Sequence, residues 1–316
     1  QYMKRKLKKP APINVKPVAK REKTRRLLIF LAVVMLSLTS CESEEFGKED
    51  IDGGVLATFT TTISAQQEST AITRAVGTTW HKDDAIGIFA KMNGETLSNE
   101  SIYNGYINLK YLSSKEGTTT DFIAATEKQI MFPKNETKLD FIAYYPYDAS
   151  VTDFSLNVDI SQQSPQSAID ILYATANEYT YENPDVQFGF KRALSRLQLQ
   201  FTSDYGLNLE GMLIEIENAS TKGILNLIDG KITIGAEKQS LTPIITYDTI
   251  NNILNTSAIL LPGQQLDQLR IKIQLTDGNK HIWIPETYTL NTSISRIYKF
   301  RSEERRVGKE CRSRWS

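Results

Sequence analysis

The residue with the most definite chemistry in this 316-residue chain is Cys41. It closes the string Leu38-Thr39-Ser40-Cys41, an aliphatic residue, two small residues and a cysteine, which matches the lipobox pattern. Small residues suit a peptidase site, and the thiol is the atom that can carry a diacylglycerol. The preceding residues have the layout of a secretory signal: Arg21, Lys23, Arg25 and Arg26 make a basic stretch, and Leu27 to Leu38 make an apolar one. That apolar run falls short of the roughly 20 residues a membrane-spanning helix needs. Residues 1–40 are expected to be a lipoprotein signal peptide, with the lipid on Cys41.

Other reactive groups are sparse. His81 and His281 are the only histidines, and they fall in different predicted domains. Asp83 and Asp84 lie beside His81, but adjacent carboxylates on a strand-entry turn point apart, and a calcium loop needs several oxygen ligands at fixed spacing. There is no Gly-rich phosphate loop, CxxC pair or GxSxG elbow. The expectation is no catalytic residue, no metal and no cofactor. Tyr144, Tyr145, Tyr147, Tyr179 and Tyr181 could form a sugar-stacking platform, although in a β-sandwich such residues belong to the core or an edge.

The formal neutrality of the chain hides three parts of different charge. Residues 1–40 hold 11 basic residues against one acid. Arg301 to Ser316 reads RSEERRVGKECRSRWS, resembles translated sequencing-adapter DNA, and is set aside from the fold. Residues 41–300 then carry 20 basic and 33 acidic residues, a formal charge of −13. That balance argues against a nucleic-acid partner, since phosphate binding needs clustered Lys and Arg. Met3 is the expected start, and the natural C-terminus is expected to lie beyond this sequence. With Cys311 in the excluded tail and Cys41 assigned to lipid, the folded part holds no cysteine. At about 260 residues it can build a core without covalent staples.

The elements that must position any site read as strand after strand, short and bounded by turn residues, the pattern of an all-β sandwich. Strands are predicted over Val55 to Ser64, Ala85 to Lys91, Ile107 to Tyr111, Thr119 to Ala124, Lys138 to Tyr145 and Phe154 to Ile160. A second series starts near Val186, runs on from Leu194 to Phe201, and includes Met212 to Ile216, Gly223 to Leu227 and Lys231 to Ile234. It continues through Ile259 to Leu261, Leu269 to Leu275 and His281 to Ile284. Asp229-Gly230 predicts a two-residue hairpin with positive φ at both positions, and Asp277-Gly278 a longer one. The polar, tyrosine-bearing stretch Ala176 to Asp185 is expected to link two sandwiches.

Five stretches carry a resemblance: Thr73 to Ala90 (TRAVGTTWHKDDAIGIFA), Phe141 to Tyr147 (FIAYYPY), Asp170 to Ala174 (DILYA), Phe188 to Phe201 (FGFKRALSRLQLQF) and Ala258 to Gln264 (AILLPGQ). In order and spacing they resemble the fimbrillin-like proteins of Bacteroidales, lipoprotein subunits of donor-strand pili. Lys191 departs from the histidine common at that position, and no donor strand is readable after Phe300. The resemblance implies two tandem transthyretin-like antiparallel β-sandwiches: residues 75–186 and 187–300, preceded by an acidic tether and removable first strand over 41–74. Glu42, Ser43, Glu44 and Glu45 resemble the acidic signal that sends Bacteroidetes lipoproteins to the outside of the outer membrane. The implied mechanism is cleavage by an arginine-specific protease, loss of the first strand, and filling of the groove by the C-terminal strand of another subunit. Arg74, the only arginine between Arg26 and Arg192, is the expected cleavage site. Asp248-Thr249-Ile250 resembles a Bacteroidetes O-glycosylation pattern. The rival reading is a monomeric surface lipoprotein that binds glycan.

Overall fold

Alternating apolar and polar residues, rich in Thr, Ile, Val and Phe and broken every few residues by turn formers, turn most of the described chain into strand. The computed structural model describes residues 54–64, 67–68, 79–203, 206–291 and 294–302. In chain order the first strands are β1 (Val55–Leu56), β2 (Thr58–Ile63), β3 (Gln67–Glu68), β4 (Ala85–Met92), β5 (Leu109–Ser113), β6 (Thr119–Ala124) and β7 (Met131–Phe132). They are followed by β8 (Leu139–Tyr145), β9 (Ser155–Asp159), β10 (Leu172–Tyr179), β11 (Asp185–Arg192), β12 (Ser195–Ser203), β13 (Leu213–Ser220) and β14 (Lys222–Asn226). The last are β15 (Lys231–Ile234), β16 (Lys238–Leu241), β17 (Ile244–Asp248), β18 (Ile253–Leu260), β19 (Arg270–Gln274), β20 (Lys280–Trp283) and β21 (Ile294–Ser302). Two single 3₁₀ turns, Gln166–Ala168 and Leu266–Gln268, are the helical elements among the described residues.

The chain is all-β. In the first half, strands in the order β10, β11, β2, β6, β5, β4, β8 close into a barrel, with β8 returning to pair with β10. Its interior is aromatic: Phe59, Trp80, Phe122, Phe141, Phe188 and Phe190 are all buried. In the second half, the sheet β17-β18-β12-β21-β3 and the sheet β16-β13-β19-β20 enclose a core that includes Leu197, Leu199, Ile214, Ile216, Leu260 and Ile271. Both halves are thus β-structures of the expected all-β class, with two facing sheets in the second and a sheet that closes on itself in the first.

Two expected features move. The stretch 176–185, read as a link, holds the end of β10 and the turn into β11, and β11 is hydrogen-bonded into the barrel beside β10 and β2. β12, the first strand in chain order of the sheet β17-β18-β12-β21-β3 apart from β3, follows β11 after Ala193 and Leu194. The Asp229-Gly230 hairpin is a four-residue loop, because Asn226 pairs with Lys231, and only Gly230 of the two adopts positive φ. β9 also departs from local order: it leaves the barrel and pairs along Ser155–Asp159 with β14 of the second half. A third core, including Phe89, Ile142, Tyr144, Leu156, Leu225 and Ile259, lies where these strands meet.

Candidate functional site

The first strand of the barrel in chain order, β2, occupies an unusual seat. It runs parallel to β11, with six residue pairs from Asp185↔Thr58 to Phe190↔Ile63, and antiparallel to β6, with four from Phe59↔Phe122 to Thr62↔Thr119. Neither junction is a hairpin, and a parallel junction cannot be one. Side chains and ladder bonds alone hold the strand between its neighbours. Its inward residues Phe59 and Thr61 are each 1% exposed. Phe59 meets Tyr111, Phe141 and Phe188 at ring-centroid distances of 4.9, 5.6 and 5.8 Å, the middle of the barrel core. On the outer side, Thr58 Oγ1 donates to Asp185 Oδ1 at 2.6 Å and Thr60 Oγ1 to Asp121 Oδ1 at 2.9 Å. The strand ends are tied by Thr58 N donating to Pro184 O and Ser64 N to Phe190 O, at 3.0 and 2.8 Å.

Where β2 ends, a small polar cluster is buried. Arg192 Nε donates to Asp170 Oδ2 at 2.9 Å and its Nη1 to Ser64 O at 3.4 Å. Burial raises the Asp170 pKa above the ordinary carboxylate value despite the opposing pull of Arg192 and Arg196. Arg196, 5% exposed, stands beside this pair, and Trp80, 1% exposed, packs edge-on to Phe122, Tyr145 and Phe190. Burial, together with Asp84, pushes Tyr145 up to about 12. A cavity of about 110 Å³ lies among Ile63, Trp80, Asp84, Tyr145, Asp170 and Arg196. Four of the five stretches quoted for the resemblance contribute to this region, through Trp80, Tyr145, Asp170 and Arg196. Sequence reasoning passed over Arg196 and Trp80, since residues 116 positions apart give no local sign of meeting.

Cys41 and Arg74 lie outside the described residues. Asp84 does not join a ligand set: its Oδ2 accepts from His81 N at 2.8 Å and caps a turn, while Asp83 takes a φ of 69°. No group of three or more His, Cys, Asp or Glu side chains able to hold a metal occurs among the described residues. His281 sits on β20 opposite Ile273, far from His81 in the fold's connectivity. Four of the five tyrosines are taken up by packing, and the fifth, Tyr147, lies under Lys110 Nζ at 5.4 Å. Tyr144 is wholly buried, and Tyr145, Tyr179 and Tyr181 pack against the barrel core. A wider concavity of about 760 Å³ is lined instead by Tyr103, Asn104, Tyr106, Lys128 and Gln129, beside Gly54. Asp248 caps the β17–β18 turn by accepting from Ile250 N and Asn251 N, which leaves Thr249 exposed.

The sequence profile of the fimbrillin-like family matches residues 73–309. The chain belongs to the fimbrillin-like family. The match begins one residue before Arg74, so β1, β2 and β3 lie upstream of it. Among relatives, this fimbrillin-like chain is 31% identical over 227 residues to the "Putative fimbrium subunit Fim1C" of Bacteroides uniformis, covering 69% of this chain and 70% of that protein. Two solved structures share the fold. A "putative cell adhesion protein" of Bacteroides uniformis superposes with a TM-score of 0.63 at 22% identity, covering 79% of this chain and 93% of that one. A "putative cell adhesion protein" of Bacteroides ovatus superposes with a TM-score of 0.62 at 19% identity, covering 78% and 92%.

Proposed function

We propose that this fimbrillin-like chain is a subunit of a cell-surface fimbrium, a stalk or accessory component contributing to adhesion. It is exported as a lipoprotein through Cys41, held at the outer membrane by lipid, and released for assembly when an arginine-specific protease cuts after Arg74. Loss of the segment up to Arg74 removes β2, and the C-terminal strand of another subunit takes its seat.

The observation that carries this reading is the seat itself. β2 is bonded on both sides yet joined to neither neighbour by a hairpin, and Phe59 fills the centre of the barrel. Its departure would leave β6 and β11 as open edges with unpaired backbone groups, and an apolar pocket where Phe59 stood. Such an edge accepts an added strand, whose main-chain bonds supply affinity and whose side chains supply specificity. Lipid fits the same scheme, because the anchor at Cys41 leaves with the discarded segment in a stalk subunit and persists in an uncut anchor.

The test is an Arg74→Lys precursor beside the unaltered one, each treated with an arginine-specific protease and run under mild denaturing conditions. The unaltered chain should be cut near residue 74 and then form ladders with subunits that supply a C-terminal strand, and the variant should stay uncut there and monomeric. Cutting near residue 74 in the variant would remove Arg74 from the scheme. A cut chain that never forms ladders would instead favour the monomeric glycan binder, for which the concavity at Tyr103 and Tyr106 is the supporting feature.

A further inference from the structure

The two edges that hold β2 each carry an acid on the outer face of the barrel, and the two acids bracket one residue. Thr58 is level with Asp185 of β11, and Thr60 is level with Asp121 of β6. Each threonine hydroxyl donates to the carboxylate it faces, at 2.6 and 2.9 Å. Among the described residues no ion pair neutralises either acid. Between the threonines, Phe59 points inward to Tyr111, Phe141 and Phe188. The inward positions on either side of it hold small side chains, Ala57 and Thr61, and the Thr61 hydroxyl donates to Thr120 O at 3.4 Å.

An ionised carboxylate accepts hydrogen bonds and donates none, so each rim acid is satisfied by a hydroxyl or a cationic N–H and opposed by a second carboxylate. On facing strands, opposite charges attract and like charges directly across are destabilising. The inside makes a different demand. A space walled by three aromatic rings is filled by a fourth, and a smaller side chain there leaves a void. Once β2 has left, both demands fall on the strand that replaces it. We infer that the vacated seat selects a strand with an aromatic residue at its centre and a hydroxyl or cationic residue, never an acid, on each side of that centre. This rests on the strand-exchange reading and goes beyond it by stating which strands are accepted. Thr58 and Thr60 flank Phe59 symmetrically, so the requirement is the same for a strand entering in either direction. The aromatic pocket is the anchor. The rim acids are the filter, since exposed charges act on the rate of capture and the rejection of wrong partners, and salt screens them.

The filter can be measured first in the intact chain, where β2 is the occupant. At low salt, Thr58→Lys with Thr60→Lys should keep the urea midpoint at or above that of the unaltered chain, and Thr58→Glu with Thr60→Glu should lower it. The gap should close at high salt, and also when Asp121→Asn and Asp185→Asn are added. Equal midpoints for the lysine and glutamate variants at low salt overturn the inference whether or not the chain can be cut. The chain cut after Arg74 and separated from its upstream segment is then offered synthetic peptides of residues 55–63, VLATFTTTI. The charge changes now sit in the peptide, so folding of the protein is not at issue. The peptide with both lysine changes should bind about tenfold tighter than the one with both glutamate changes, and Phe59→Ala should weaken the unaltered peptide by at least about tenfold. Binding of the unaltered peptide without either discrimination overturns the inference alone. A cut chain that binds none of the peptides overturns strand exchange and the inference with it.

Discussion

At Asp140 four donors converge on one carboxylate. Lys91 Nζ and Asn93 Nδ2 each donate at 2.8 Å, and the backbone N–H groups of Gly94 and Glu178 each donate at 2.9 Å. Burial is the largest single influence and would raise the pKa, but these bonds together overcome it and hold Asp140 at about 2, below the ordinary 3.8. The folded value lies below the unfolded one, so the stabilisation is fully present above about pH 4 and is lost as pH falls toward 2. Asp140→Ala should cost about 3–5 kcal/mol at neutral pH, since it strands the buried Lys91 ammonium. The acid limb of its stability curve between pH 4 and 2 should be flatter than in the unaltered chain. Urea midpoints measured across that range check both, and an unchanged acid limb would mean that Asp140 titrates normally. The same scale explains why Arg196 and Trp80 were not legible beforehand. Residue type marks a candidate, but only pairing tells whether a buried donor is satisfied, and pairing is set by residues more than a hundred positions away.

Two glutamines act as pieces of strand. Gln264 Oε1 accepts from Ser220 N at 2.6 Å while its Nε2 donates to Ser220 O at 3.1 Å and Leu261 O at 3.2 Å. Gln163 does the same for Ile259, accepting from its N–H at 2.8 Å and donating to its carbonyl at 3.0 Å. Each side-chain amide completes a ladder beyond the last backbone partner. Gln264→Ala would leave both Ser220 backbone groups buried and unpaired, an expected loss of about 1–3 kcal/mol per group. It should appear as a lower urea midpoint at constant m, and a change within about 0.5 kcal/mol would show that these groups find other partners. At this scale the sequence was readable wherever alternation was clean: Thr119 to Ala124 and Lys231 to Ile234 are strands over the predicted residues. It was not readable where polar residues turn inward. In β18 the run Asn255, Thr256, Ser257 masked a strand of which only the apolar end was foreseen, although Thr256 is 4% exposed. β10 was hidden similarly, its small residues Ala174 and Ala176 carrying the buried face of a stretch that is otherwise polar and aromatic. The hairpin pairs β14–β15 and β19–β20 were written locally, in Asp229-Gly230 and Asp277-Gly278, but the parallel seat of β2 and the crossing of β9 are facts of distant register.

For the molecule as a whole, the third core decides how the halves behave. Phe89, Ile142 and Tyr144 of the barrel pack in one cluster with Leu225, Leu227 and Ile259 of the second half, and β9 completes a sheet there with β14 and β15. Neither half can unfold without exposing part of this shared apolar surface. Differential scanning calorimetry should therefore give a single transition with calorimetric and van't Hoff enthalpies in agreement, and Leu225→Asp should lower the whole transition rather than split it. Two resolved transitions in the unaltered chain would show that the shared core does not couple the halves.

The seat of β2 has a further meaning in time. Thr58 and Asp185 are bonded across 127 positions of sequence, so the seat cannot be completed until β11 has been synthesised. Closing so long a loop costs entropy that local hairpins such as β4–β5 avoid, and long-range pairing of this kind forms late. The β6 side of the seat asks for a loop of half that length, Thr60 meeting Asp121 across 61 positions. The two sides of one strand therefore become available at different times during synthesis, the antiparallel ladder first and the parallel one only once residue 190 has been made.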